Sequence, residues 1–282
     1  MQRRNGLENK RVVVVGGSSG IGLAVAELSA THGAEVVIAS SKEAKVHQAT
    51  SAIGGKTQGE VVNVSDERSV ETFFTRLGAF DHLVFTAGDT LQLNELAATD
   101  LTKARHAFEL RYWAALAAVK YASPHIRKDG SIVLTTGVAG RRPHKGWTVV
   151  ASICGTIEAL TRALAVELAP IRVNAVCPGV VRTNLWKNMQ EQDREAMYEN
   201  VGNHLLVGRV GEACEIALAY LFLMQEGYST GQTVVVDGGA LLMQVGRQNT
   251  GNSSVAGSEQ ATKTLRVAEG QTEELETSMN GL

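Results

Sequence analysis

Residues 15–22 read Val-Gly-Gly-Ser-Ser-Gly-Ile-Gly, which spaces Gly16, Gly20 and Gly22 as GxxxGxG directly after an apolar run. Glycine accepts positive φ and lets backbone N–H groups approach a phosphate, and a helix starting there turns its positive end toward an anion. Gly16, Ser18, Ser19, Gly20, Ile21 and Gly22 are therefore candidates to cradle a pyrophosphate, although the same spacing also serves a tight strand-to-helix crossing with no ligand. The next apolar run ends VVIASSKEAK. A site that prefers NAD places a carboxylate near Ser40 to hold the ribose diol, and none is there. Ser40 and Ser41 can hydrogen-bond a 2′-phosphate and Lys42 can add charge, so NADP(H) is favoured over NAD(H); the plainer reading of Lys42 is a solvated lysine in a first helical turn.

A second stretch is notable for what it lacks. GWTVVASICGTIEALTRALAVELAP, residues 146–170, has helical periodicity, yet Cys154 is the only titratable side chain between Lys145 and Glu158. No tyrosine occurs between Tyr121 and Tyr198, and no lysine between Lys145 and Lys187. Cys154 has no base beside it, and a cysteine in apolar sequence is usually inert filler.

The elements that must position these residues alternate. Short Val/Ile-rich runs near residues 11–15, 35–39, 57–63, 82–86, 131–135, 172–176 and 233–236 are separated by helix-period segments, the pattern of a parallel α/β sheet covered on both faces. His32 and Gly33 close the first helix, Asp66 caps the third, and Glu212 opens the last. One domain, residues 1–242, takes up all seven strands. Residues 243–282 are rich in Gly, Ser, Thr, Asn, Gln and Glu and read as a disordered tail, with a short partner-binding helix around 272–279 as the weaker alternative.

Composition narrows the partners. The formal net charge is −2, which gives no basic field for nucleic acid or an anionic membrane. No stretch reads as the roughly 18 apolar residues of a membrane span, so a soluble, cytoplasmic protein with small-molecule or protein partners is expected. Three cysteines without CxxC spacing and seven scattered histidines give no metal constellation.

Together with HLVFTAG (82–88), RVNAVCPGVVRT (172–183) and GQTVVVDGG (231–239), VVVVGGSSGIG resembles the short-chain dehydrogenase/reductase family over roughly residues 7–242. The resemblance implies a single-domain, doubly wound Rossmann-type fold, a bound nicotinamide dinucleotide, and a homodimer or homotetramer built on helix pairs. It places Ser18, Ser19, Gly20 and Ile21 along the pyrophosphate, Asn63 and Val64 at the adenine edge, and Ala87 and Gly88 behind the ribose. Pro178, Gly179, Val181 and Thr183 would hold the nicotinamide amide. Asn63 stands where Asp is usual, and Phe85-Thr86 where two Asn are usual, which weakens a polar link between strands.

The family transfers a proton with a Ser and a Tyr at the reacting oxygen, a Lys four residues after the Tyr, and an Asn on an earlier helix. Matched residue by residue, Gly137 stands at the Ser, Val150 at the Tyr, Cys154 at the Lys and Arg111 at the Asn. All four groups are absent. A phenol with an unperturbed pKa near 10 needs a cationic neighbour to act near neutrality, so losing Tyr and Lys together is coherent.

Arg111 is the remaining catalytic candidate, because a guanidinium beside a cofactor pocket is costly to bury without an acceptor. It would orient the substrate or a cofactor hydroxyl; the plainer reading is a salt bridge to a glutamate such as Glu109 or across a subunit interface. Tyr112, Trp113, Thr135, Thr136, His144, Lys145 and Trp147 are the other groups expected within reach of the nicotinamide, although RRPHK (141–145) reads more plainly as a solvated basic turn and Trp147 equally as a core or interface residue. Residues 184–208 match the family's mobile lid, with Leu185, Trp186, Met189 and Met197 as its apolar face. Three functions fit: an NADP(H)-dependent reductase of an apolar iminium or conjugated carbonyl in specialised metabolism, a non-redox cyclase or isomerase, and an inactive NADP(H)-binding regulator.

Overall fold

The computed structural model describes residues 6–90 and 93–243; all but the first residue of the expected tail, with its alternative helix, lies outside them. Val12 to Val15 are at most 2% exposed, so β1 (Arg11–Val15) is covered on both faces, as its unbroken valine run requires. It pairs in parallel with β2 (Glu35–Ser40) on one side and β4 (Phe80–Phe85) on the other. The sheet continues through β3 (Gln58–Val61), β5 (Ile126–Thr135), β6 (Arg172–Pro178) and β9 (Thr233–Val236) in the order β3-β2-β1-β4-β5-β6-β9. This is the seven-stranded parallel sheet that the alternation of segments predicts, in the doubly wound, Rossmann-type order that the family resemblance implies.

One face carries α1 (Gly20–Thr31), α2 (Glu43–Ile53) and α8 (Ala213–Gln225), whose Val25, Ala49 and Leu223 share a core with Val14 and Ile38. The other carries α3 (Glu67–Leu77), α5 (Ala114–Ala122) and α6 (Thr148–Glu167), where Phe73, Ala118 and Ile157 pack on Leu83 and Leu134. The expected caps form. His32 ends α1 ahead of Gly33 at φ +85°, the Asp66 side chain accepts from Arg68 N, and Glu212 makes a capping box with Glu215.

The strand bounds differ most from the sequence pattern at β3 and β5, and by one or two residues at β2, β4 and β6. β3 stops at Val61 because the side chain of Asn63 turns back to accept from Ser65 N at 3.2 Å, drawing the chain off the sheet edge. β5 begins at Ile126, earlier than residue 131, through a pairing of Ile126 with Phe80 ahead of a register shift. A two-stranded ladder, β7 (Val181–Arg182) with β8 (Gly211–Glu212), was not legible in the sequence because each strand has only two residues.

The expectation that no segment is long and apolar enough to cross a membrane needs correction for α6, which at 20 residues meets that test by length and composition. It is a core helix: Ile153, Ile157, Leu160 and Leu164 are buried within the domain.

At the amino ends of the central strands Asp81, 2% exposed, is held by Lys10 at 3.0 Å, Arg127 at 2.7 Å and Arg11 N at 2.9 Å. Beside it the imidazole of His82 contacts Ser131 Oγ at 2.9 Å, and burial pushes its pKa down to about 4, with nearby Asp81 opposing. The folded protein thus holds His82 neutral, whereas the unfolded chain binds a proton below about pH 6.5. Stability from this group is complete above pH 6.5 and is lost as pH falls toward 4, by about 3 kcal/mol in all. Denaturant unfolding across this window should show that decline, with a shallower slope for His82→Gln; equal slopes in the two proteins would exclude His82 as its source.

Candidate functional site

The chain runs outward from β1 to β3 and then returns across β1 to β4, so a crevice opens at the carboxyl ends of these two strands. Gly16 and Gly22 let three segments meet there. A Cβ on Gly16 would stand 2.6 Å from Ala87 N, and one on Gly22 would stand 2.4 Å from both Gly16 O and Thr86 Oγ1. The resulting cleft, about 450 Å³, is lined by the turn from Gly16 to Gly22 and the N-terminus of α1, which Ser19 caps without a side-chain hydrogen bond.

Of the predicted cofactor residues, Gly16, Ser18, Ser19, Gly20, Ile21 and Gly22 line one wall, and Ser40, Ser41 and Lys42 the end beyond it. Ser18 Oγ donates to Ser40 Oγ at 2.8 Å, which fixes both hydroxyls. Lys45, one turn into α2, joins Lys42 on the same wall and was not singled out from the sequence. The signal was its i+3 spacing from Lys42. No carboxylate lines this end. Asn63 is the exception among the predicted set: its carbonyl oxygen is used by Ser65 N, and Val62 and Val64 line the cleft in its place. Ala87, Gly88, Pro178, Gly179, Val181 and Thr183 line the other end with Arg111.

Arg111 reaches the cleft from a π-helical turn, Glu109–Trp113, inserted between α4 (Leu101–Phe108) and α5. Such turns widen a helix by one residue and often occur at functional sites. The guanidinium lies on the backbone of Gly88, where a Cβ would stand 2.7 Å from Nη1, and Nη2 donates to Asp89 O. Burial lowers its pKa from the ordinary arginine value, yet guanidinium remains charged in proteins. The alternative of a bridge to Glu109 does not form; Arg111 is aimed at the crevice instead.

The wall opposite is apolar. Val150, Ile153 and Cys154 of α6 face it with Gly137, and a Cβ on Gly137 would lie 3.3 Å from Cys154 Sγ. Burial pushes the Cys154 thiol up, as inert packing implies. Thr135, Thr136 and Trp147 also line the cleft as expected, whereas Tyr112, Trp113, His144 and Lys145 do not. Tyr112 packs on the core, Trp113 is 53% exposed, His144 sits edge-on to Trp147, and Lys145 pairs with Glu95 at 3.0 Å. The polar link that Phe85 cannot supply comes from Thr135, whose Oγ1 donates to Phe85 O at 2.6 Å and meets the buried Tyr220 hydroxyl at 2.7 Å. Thr86 Oγ1 donates to Val15 O at 3.2 Å.

Residues 183–187 also line the cleft. Thr183 Oγ1 accepts from Leu185 N at 3.3 Å, and Trp186 Nε1 donates to Val181 O at 3.2 Å. Arg182 lies 4.4 Å over the Tyr198 ring and pairs with Glu195 at 2.5 Å, docking α7 (Glu191–His204). Of the apolar face expected for residues 184–208, Leu185 and Trp186 line the cleft, and Trp186 and Met197 pack with Tyr198, Leu205 and Val210. Lys187 crosses to Asp89 at 3.4 Å, a contact between segments about 100 residues apart that no local spacing reveals. Among the described residues no three His, Cys, Asp or Glu side chains gather to hold a metal.

Residues 15–240 match a family model described as enoyl-(acyl carrier protein) reductase. The chain is 34% identical over 257 residues to short-chain dehydrogenase/reductase fsr5 of Gibberella fujikuroi, covering 84% of this chain and 96% of that protein. A crystal structure of a small-chain dehydrogenase in complex with NADPH is 41% identical, with a TM-score of 0.74 and coverage of 83% and 99%. The structure of MalC reductase/Diels-Alderase from Malbranchea aurantiaca is 30% identical, with a TM-score of 0.79 and coverage of 85% and 99%. With the glycine turn and the sheet order in these places, the chain belongs to the short-chain dehydrogenase/reductase family.

Proposed function

We propose that the protein is an NADP(H)-dependent reductase of an apolar small molecule in specialised metabolism, working without a phenolic acid. The observation that carries this reading is one continuous cleft. It has two serines and two lysines at its adenosine end, and Gly137, Val150 and Cys154 in place of proton-transfer groups at the other. The residues fit the cofactor: the glycine turn leaves a cradle beside the α1 N-terminus, and Lys42 and Lys45 suit a 2′-phosphate in a way that would offer an NAD diol nothing. When bound, NADPH would supply a hydride.

In this reading Gly16, Ser18, Ser19, Gly20, Ile21 and Gly22 hold the pyrophosphate, Val62 and Val64 flank the adenine, and Ala87 and Gly88 back the ribose. Pro178, Gly179, Val181 and Thr183 hold the carboxamide. Arg111 donates to a ribose hydroxyl or a substrate oxygen in place of the missing lysine, and Leu185 and Trp186 exclude water. No histidine or tyrosine lines the cleft among the described residues, so the substrate is one that needs little acid help: an iminium or a conjugated carbonyl. The small-chain dehydrogenase bound to NADPH supports the cofactor assignment. Exposed Val166 on α6 and Leu218 and Phe222 on α8 offer apolar faces for a homodimer or homotetramer, and we place the protein in the cytoplasm.

A second reading, cyclisation without net redox change, is favoured by the likeness to a protein titled both reductase and Diels-Alderase. A cycloaddition needs shape and polarisation but no proton donor, and Arg111 would supply the polarisation.

Titration with NADPH and NADH, followed by nicotinamide fluorescence, should give tight binding of NADPH and weak binding of NADH. Replacing Lys42 and Lys45 together by Ala should cost NADPH about tenfold or more while leaving NADH unchanged; no binding of either nucleotide would remove the reductase reading. Gly88→Ala should push the flexible guanidinium of Arg111 aside, leaving unfolding free energy within about 1 kcal/mol but weakening NADPH binding about tenfold. An unchanged affinity would show that Arg111 does not touch the cofactor.

A further inference from the structure

The hydride end of the cleft holds three charged side chains, Arg111, Lys187 and Asp89, and Asp89 is the single carboxylate among the described residues that line the whole cleft. Its bonds all converge on one oxygen. Oδ1 accepts from Thr90 N at 2.7 Å and Thr90 Oγ1 at 3.3 Å, and pairs with Lys187 Nζ at 3.4 Å. Arg111 is bonded to the main-chain oxygen of Asp89 instead. The hydrogen bond from Thr90 N, aided by Lys187, holds the carboxyl below its ordinary range. The Lys187 contact is long, with the two side chains 51% and 59% exposed, and an exposed pair of this kind contributes little and exchanges readily.

We propose that Asp89 is the anionic anchor for a cationic substrate, an iminium ion, and that Lys187 is the resident cation which this substrate displaces. The inference deepens the reductase reading and rests on it. A carbonyl that takes a hydride becomes an alkoxide and needs a proton, and the described residues that line this cleft include no histidine or tyrosine to give it; the one ammonium at this end, Lys187, is half-exposed and paired with Asp89. An iminium carbon takes the hydride of NADPH, its C=N pair withdraws to nitrogen as a lone pair, and a neutral amine and NADP+ result with no proton moved. Such an ion must shed water to reach the nicotinamide, and a desolvated charge needs a counter-charge. Asp89 is the group placed to provide it. Because Arg111 lies over Gly88, the cation approaches Asp89 from the Lys187 side, where Trp186 also lines the cleft and can stack on a planar cation.

The test uses the full-length protein loaded with NADP+, so that no turnover intervenes, titrated with N-methylquinolinium and with uncharged quinoline under basic conditions. Two of the three tryptophans, Trp147 and Trp186, line the cleft, so quenching of their fluorescence reports occupancy. The cation should bind about tenfold or more tighter than quinoline, and Asp89→Asn should erase that preference. Lys187→Met should move the other way, tightening cation binding about threefold and leaving quinoline unchanged, since it removes the competitor. A merely structural ion pair would weaken both ligands in both variants, and equal binding of cation and quinoline by the parent protein overturns the proposal. If Asp89→Asn fails to fold by circular dichroism, the parent protein and Lys187→Met still decide. NADPH oxidation by cyclohexenone in a protein with no cation preference would sink the anchor and keep the reductase. A cation preference dependent on Asp89, in a protein that oxidises NADPH with neither enone nor iminium, would keep the anchor and sink the reductase.

Discussion

No side chain fits where the turn after β1 meets the end of β4. Gly22 sits so close to Gly16 O and Thr86 Oγ1 that one added carbon would collide with both. This contact fixes how near α1 begins to the sheet, and therefore where its free N–H groups point. It also places Ala87 and Gly88 at the floor of the crevice, and Gly88 in turn gives Arg111 a flat backbone surface to lie on. The cleft and the one guanidinium among the described residues that line it both follow from a close approach between three backbone segments.

The substitutions at the other end support one another in volume as well as in chemistry. Gly137 leaves room that Cys154 fills, and Gly140 lies against the same side chain: a Cβ there would stand 2.9 Å from Cys154 Cβ. A lysine at position 154 would have neither that space nor a phenol to activate, since position 150 is Val. The wall has been repacked as an apolar surface with Ala139, Val150 and Trp147. Its polar demands are met away from the reacting face, by Thr136 donating to Cys154 O at 2.9 Å and by Thr135 with Tyr220. Tyr220 is fully buried and its hydroxyl is held up, as a phenol in apolar surroundings is. The site thus keeps a tyrosine nearby, but one enclosed by α8 and β5 and committed to holding strand ends together.

Much of this was legible without coordinates. Unbroken valine runs bounded by glycines located the strands, because a strand buried on both faces tolerates little else, and the missing Ser, Tyr, Lys and Asn could be read by matching the chain to family motifs. Asn63 is ambiguous in sequence because an Asn near a strand end can serve a ligand or its own turn, and the structure shows its carbonyl oxygen in the turn, accepting from Ser65 N. His144 and Lys145 follow the plainer reading of a basic turn: Lys145 pairs with Glu95 and the His144 ring sits against Trp147.

The sequence by itself determined the order of strands and helices along the chain, the glycine turn after β1, the absence of a carboxylate at the end of β2, and the absence of tyrosine and lysine from α6. These are properties of residue type and short spacing, where backbone sterics and local charge act alone. The tertiary structure decided which groups meet across the cleft: Arg111 on Gly88 rather than on Glu109, and Lys187 across from Asp89. Such pairings join residues from separate elements, and the packing of helices on the sheet, which no window of sequence contains, sets the distance between them.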